Sequence, residues 1–206
     1  MEEEKKELPK TEHWNESFYG KDLRGKDFSC HYFYKCNFVN AIADKTTNFR
    51  SSFFEYCDLS FMEAPETNWE RSVRIHCDMT KVFFKGSNQK MGRLHWCDCE
   101  AIDFDNSDLR GLETPFSRFY NAKMRGVRFG GWSREIIAEI IRQNTTDLRV
   151  KQFAAWVKDE TQLCWEQFML LSGYPAVRDV KDDVIKILKL SGFDNRIENG
   201  AELWLS

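Results

Sequence analysis

Large apolar residues recur every five positions through the middle of this chain. The quintets run Thr47-Asn48-Phe49, Ser52-Phe53-Phe54, Cys57-Asp58-Leu59, Thr67-Asn68-Trp69, Cys77-Asp78-Met79 and Ser107-Asp108-Leu109. They continue through Ser117-Arg118-Phe119 and Ala122-Lys123-Met124 to Val127-Arg128-Phe129. The same rhythm appears upstream at Leu23, Phe28, Phe33 and Phe38, with one extra residue between Ala41 and Thr46. Each unit offers a small residue, often Asp or Asn, a large apolar residue, then two mostly polar positions. A helix repeats every 3.6 residues and a strand every 2, so a period of five fits neither. It fits a solenoid whose every face consumes five residues.

A longer period lies over the first. Cys57, Cys77 and Cys97 recur at twenty residues, each followed by an aspartate, Asp58, Asp78 and Asp98. Ser117 takes the next cysteine position, and Cys36 the previous one once the extra residue is allowed. Twenty residues are four quintets, so the coil has four sides. Stacked at a strand spacing of about 4.8 Å, roughly five to six coils make a rod of roughly 25 to 30 Å.

The quintet resembles the pentapeptide-repeat family, summarised as A(D/N)LXX, over roughly Phe18 to Gly131. The resemblance implies an all-β solenoid, a right-handed quadrilateral β-helix. Its large centre residue and the small residue two before it point inward. Residues 1–17 then form a charged tail, 18–131 the rod, and 132–206 an α-helical segment used for capping or dimerisation. The frame has defects. Arg74 and Gln89 fall at inward centres, and Ala64 and Thr114 are undersized there. Buried Arg or Gln needs partners, so a bulge is expected near Ser72 to Ile75 or Ser87 to Met91. Pro65 and Pro115 follow centre positions, where a corner absorbs a missing donor.

After Gly130-Gly131 the period of five stops. Ser133 to Gln143 places Ile136, Ile137, Ile140 and Ile141 on one helical face. A second helix is expected from Thr146 to Ser172, stopped by Gly173 and Pro175, and a third from Val180 to Leu190, ended by Gly192. Ala201 to Leu205 adds an apolar tail. A solenoid end exposes unpaired edges and core, so capping is one role for this segment and dimerisation the other.

Charge and cysteine content narrow the chemistry. The chain has 206 residues, 30 basic and 33 acidic, for a net charge of -3, and Met1 to Gly131 holds 20 basic against 21 acidic. That is no field for binding nucleic acid. The resemblance also implies an alternative function, a gyrase-protecting DNA mimic of the fluoroquinolone-resistance type. A mimic should focus negative potential along its rod, and these outward positions mix Lys and Arg with Asp and Glu. Seven cysteines cannot all pair. With no signal-peptide core and no apolar run of spanning length, a cytoplasmic protein with reduced thiols is expected, away from membranes. Stacked cysteines in register point in parallel, which disfavours a bridge.

His76-Cys77 and His95-Trp96-Cys97-Asp98-Cys99 resemble zinc ligands. The frame instead puts Cys77 and Cys97 at the small inward position and Cys99 at an inward centre, where cysteine is a small hydrophobe. The helical segment has no His and one cysteine, Cys164. There is no phosphate loop, nucleophile elbow or H-E-x-x-H. No enzyme, metal or cofactor is expected.

Three faces of the frame come out polar. The fourth carries Tyr32, Phe53 and Val73, then Tyr34, Ile75, His95 and Pro115, beside a corner column of Tyr56, His76, Trp96 and Phe116. Soluble monomers rarely leave such a stripe bare. Either the C-terminal helices cover it, or the corner residues tuck inward, or it binds a partner protein or a second copy. Aromatic residues of these kinds are found at interface centres. The candidate interface residues are Phe53, Tyr56, Ile75, His76, His95, Trp96 and Phe116, and the expected function is that of an interaction or scaffold protein.

Overall fold

The computed structural model describes residues 11–129, 134–159 and 175–192. One face of the rod is a parallel sheet of β1 (Thr11–Trp14), β2 (His31–Tyr34), β3 (Phe53–Glu55), β4 (Val73–Ile75) and β5 (Arg93–His95), in that order. Phe53 pairs with Val73 and Val73 with Arg93, one twenty-residue coil per step. Single-residue parallel bridges join the other faces, as in Asp58 to Asp78, Glu63 to Phe83 and Asn68 to Asn88. The result is a four-sided parallel β-solenoid.

Its first coil begins at Thr11, ahead of the expected start at Phe18, because β1 pairs along its whole length with β2. His13 takes the inward centre of that coil and stacks on Phe33 at 4.6 Å. A polar ring in a core position hides the first quintet from a search for apolar residues. Met1 to Lys10 lie outside the described residues. The extra residue falls after Ile42: Asp22 bridges Ile42, whereas Asp27 bridges Asn48. There Asp44 Oδ1 accepts the Thr46 N–H at 2.8 Å, and Thr46 Oγ1 accepts the Gly25 N–H at 2.8 Å, so the longer corner is hydrogen-bonded to the coil below.

The sequence pattern follows from the corners. Except at the longer corner after Ala43, the residue two after a centre sits at positive φ, for instance Tyr56 at 54°, His76 at 52°, Trp96 at 52° and Phe116 at 61°. For an L-residue this costs roughly 1–2 kcal/mol, which core burial and coil-to-coil hydrogen bonds offset. Where Asp or Asn precedes the centre, it helps set the corner by accepting the N–H two residues on. Asn68 Oδ1 takes Glu70 N–H at 3.2 Å and Asp78 Oδ1 takes Thr80 N–H at 2.9 Å. On one face the amides also join the coils: Asn48 donates to Asp27, Asn68 to Asn48, and Asn88 to Asn68.

The expected bulges are absent. Arg74 and Gln89 are both fully buried, and β4 keeps its register with β3 and β5. The two defects answer each other. Arg74 Nη1 donates to Gln89 Oε1 at 2.6 Å, and Gln89 Nε2 donates to Ser87 Oγ at 3.0 Å. The guanidinium lies over the Trp69 ring at 5.2 Å. A side chain on residue 92 would start 3.0 Å from Arg74 Nη2, so glycine there makes room.

Among the described residues the rod is followed by α1 (Arg134–Gln143), α2 (Leu148–Asp159) and α3 (Pro175–Leu190). Asp147 caps α2, its Oδ1 taking the Arg149 N–H at 2.8 Å; the expected stretch from 160 to 172 lies outside the described residues. The α3 helix starts at Pro175, five residues before the expected Val180. Proline lacks an N–H that a first helical turn does not use, so here it opens a helix.

These helices finish the rod. Within it, centre N–H groups donate to the next coil, as Leu109 does to Arg128 at 2.8 Å. In the last coil Thr114 N–H donates instead to Glu135 Oε2 at 3.4 Å, Phe119 N–H to Gln143 Oε1 at 2.6 Å, and Met124 N–H to the Ser191 carbonyl at 2.8 Å. The cap supplies acceptors where a further coil would. Its apolar face, Ile136, Ile137, Ile140 and Ile141, is buried. Gln143→Leu should strand the Phe119 N–H at a cost of about 1–3 kcal/mol. Hydrogen exchange should then show faster exchange at Phe119, and unchanged protection would contradict the cap.

Candidate interaction face

The same corner geometry on successive coils brings Tyr56, His76, Trp96 and Phe116 into one column. Ring centroids lie 5.0, 5.1 and 5.3 Å apart with planes 9°, 16° and 9° from parallel. The shared positive φ sends each side chain off the corner in the same direction, so the rings stack and present their edges outward. Tyr56, Trp96 and Phe116 are 48%, 50% and 67% exposed, and His76 is exposed as well. The rings do not tuck inward. The described helices close the end of the rod and leave this column uncovered.

The adjoining sheet face is more mixed than the outward list suggests. Phe53, Ile75 and His95 are half-buried beside the column. Glu55 interrupts their row and accepts the Tyr32 hydroxyl at 2.7 Å. Arg93 and Glu113 close the C-terminal end of the face with a 3.0 Å ion pair. Burial pulls the His95 imidazole below its ordinary pKa, and its Nε2 is buried without a hydrogen-bond partner. The contiguous apolar element is therefore the corner column.

Across the corner runs an aspartate column. Asp58 Oδ1 accepts the Ser60 N–H at 2.9 Å and its hydroxyl at 2.7 Å, and Asp78 Oδ1 accepts the Thr80 N–H. Asp98 makes the same turn, its Oδ1 accepting the Glu100 N–H at 3.2 Å, and its Oδ2 also pairs with Arg118 Nη1 at 3.0 Å.

Between these columns the cysteines point inward. Cys36, Cys57, Cys77 and Cys97 are buried, unbridged thiols at the small position, and Cys99 is one at an inward centre. Cys57 Sγ donates to the Phe33 carbonyl at 3.4 Å and Cys97 Sγ to the Arg74 carbonyl at 3.3 Å. Ser117 repeats the bond with Leu94 at 2.8 Å and accepts the Cys97 N–H at 3.0 Å. The position thus wants a small group that also hydrogen-bonds, which refines its role as core filler. Burial pushes the Cys77 and Cys99 thiols well above the ordinary range. Among the described residues no group of three or more His, Cys, Asp or Glu could hold a metal.

Two polar features escaped the pattern of apolar residues. The cap acceptors Glu135 and Gln143 sit on a helix whose isoleucine stripe is its visible signal. The Arg74–Gln89 pair is separated by fifteen residues and shows only as two violations of one frame.

No family model matches the chain, and no curated protein is similar to it. Solved structures do resemble it at low identity. One is the pentapeptide repeat protein Rfr23 from the cyanobacterium Cyanothece, 12% identical with a TM-score of 0.41, covering 57% of this chain and 90% of that one. Another is QnrB1, a plasmid-mediated fluoroquinolone resistance protein, 17% identical with a TM-score of 0.33, covering 57% and 71%. A third is a pentapeptide repeat protein of the Arabidopsis thaliana thylakoid lumen, 17% identical with a TM-score of 0.33, covering 62% and 74%. The quintets, folded four to a coil with small and large positions inward, make this chain a four-sided parallel β-solenoid with a C-terminal helical segment, and their pattern resembles that of pentapeptide-repeat proteins.

Proposed function

We propose that this is a non-enzymatic interaction protein that holds a partner protein against the aromatic corner column. One observation carries this. Four stacked rings stay exposed while the described helices bury their apolar faces at the end of the rod and against one another. An ordered apolar ridge is a surface that gains from being covered. The rod is filled by packed side chains, and the thiols of Cys36, Cys57, Cys77 and Cys97 donate to backbone carbonyls, which supports a role without catalysis, metal or cofactor. Reduced thiols suit the cytoplasm, and no helix among the described residues is long and apolar enough to cross a membrane.

The DNA-mimic alternative is disfavoured by charge. Acidic positions toward the C-terminal end of the rod are paired with neighbouring cations, Asp98 with Arg118, Asp103 with Lys123, and Asp108 with Arg110 and Arg128. Such pairing breaks up the continuous negative field a mimic needs.

Affinity capture with the wild-type chain and Trp96→Gly in parallel tests the proposal, with light scattering on both to report self-association. A partner, or a second copy, held by the wild type and lost from the variant is the expected result. Equal capture and equal mass for both proteins would remove the column from the function.

A further inference from the structure

We propose that the partner presents a basic amphipathic helix, with apolar side chains on the ring edges and lysines or arginines on Asp58 and Asp78. This rests on the column being the partner face. The ring faces of His76 and Trp96 are already occupied by their stacked neighbours. What remains outward is ring edge, next to half-buried Ile75 and Pro115. Ring edges carry partial positive charge and suit aliphatic contact, not a stacked cation.

The cation belongs one column over. Asp58 and Asp78 stand on successive coils and each commits Oδ1 to its own turn. Their Oδ2 atoms bond nothing within the described residues. The next rung, Asp98, already has Arg118. Two carboxylates one rung apart, sharing no cation, repel each other, and a positive group from outside relieves both. The cations bordering the column are committed elsewhere: Lys35 lies over Tyr34, and Arg118 serves Asp98 and Glu100.

Charge also chooses between occupants. A second copy packed antiparallel, with Tyr56 opposite Phe116, would set Asp78 against Asp98 and Asp58 against Arg118, so its attractions and repulsions cancel, whereas cations at Asp58 and Asp78 are only attracted. Nucleic acid is repelled by the same column. Length fits a helix: the four rungs span roughly 15 Å, close to three helical turns of about 5.4 Å each. A row of Leu and a row of Lys at i, i+4 spacing can follow both columns.

A fluorescent Leu–Lys amphipathic peptide and a Leu–Glu peptide of the same pattern, titrated against the full chain at low and high salt, provide the test. The Leu–Lys peptide is expected to bind, to weaken with salt, and to lose about tenfold affinity when Asp58→Asn and Asp78→Asn are combined, roughly the effect of one charged contact. Equal binding of the Leu–Glu peptide, or no loss on removing the two carboxylates, overturns the basic partner. In that case a loss on Trp96→Gly still leaves the column as a partner face. Unchanged Leu–Lys binding by Trp96→Gly as well would overturn both.

Discussion

Gln89→Leu should cost about 3 kcal/mol of unfolding free energy, and adding Arg74→Leu should return most of it. Arg74 is a fixed cation in a rod core with no carboxylate beside it. Burial pulls its pKa down to about 10, which still leaves it charged at neutral pH. Its Nε and Nη2 have no hydrogen-bond partner, so the 2.6 Å bond from Nη1 to Gln89 and the face of Trp69 carry its polar satisfaction. Removing Gln89 takes away the acceptor and leaves the charge. Removing Arg74 alone strands Gln89 Oε1, a smaller cost of about 1–3 kcal/mol. Removing both leaves two apolar centres like those in the neighbouring coils, and the double variant should fall within about 1 kcal/mol of wild type. Urea unfolding of the four proteins measures the coupling. Additive losses would mean that the two side chains do not act as a pair.

The second large effect separates folding from binding at one residue. Trp96→Gly should leave thermal stability nearly unchanged yet weaken partner binding by roughly 30- to 1000-fold, the range of a hot-spot residue worth about 2–4 kcal/mol. Trp96 sits at φ 52°, a conformation glycine adopts freely. Glycine relieves roughly 1–2 kcal/mol of backbone cost. It forfeits two stacked ring contacts, with His76 and Phe116, each worth about 0.5–1.5 kcal/mol, and a weaker edge contact with His95 at 6.1 Å. The two changes nearly cancel in the folded chain, whereas nothing replaces the ring at an interface. Leu94, two residues away and pointing inward, gives the contrast: Leu94→Ala should cost about 2–5 kcal/mol through a core cavity. A Trp96→Gly protein that unfolds as Leu94→Ala does would show that the column is part of the core.

How far the fold could be read from the chain depended on which residues carry periodic information. Inward centres such as Phe54, Leu59 and Phe104 repeat in type as well as position, so the coil length and the single insertion were both visible. The corner column was visible for the same reason, since Tyr56, His76, Trp96 and Phe116 hold one slot in the frame. Its exposure was not, because that depends on where the helices dock. Local pattern fails where a polar residue is satisfied from a distance. Arg74 looked like a place for a bulge because its acceptor, Gln89, lies fifteen residues on, three faces around the same coil. His13 looked like tail because its contacts, Phe33 and the hydrogen-bonded His31, come from the coil above. Pro175 signals both the end of one helix and the start of another, and only the surrounding structure chooses. The capping carboxamide of Gln143 has no periodic signature.

The central claim is that the aromatic column is open in the free protein and covered by a partner. Fluorine NMR on the 5-fluorotryptophan-labelled chain, with the Trp96 signal identified by its absence from Trp96→Gly, tests this most directly. The account predicts a Trp96 resonance with a large solvent isotope shift in the free protein, and loss of that shift once the captured partner or the Leu–Lys peptide is added. A Trp96 signal already shielded from solvent in the free chain, and unmoved by any partner that binds, would contradict it.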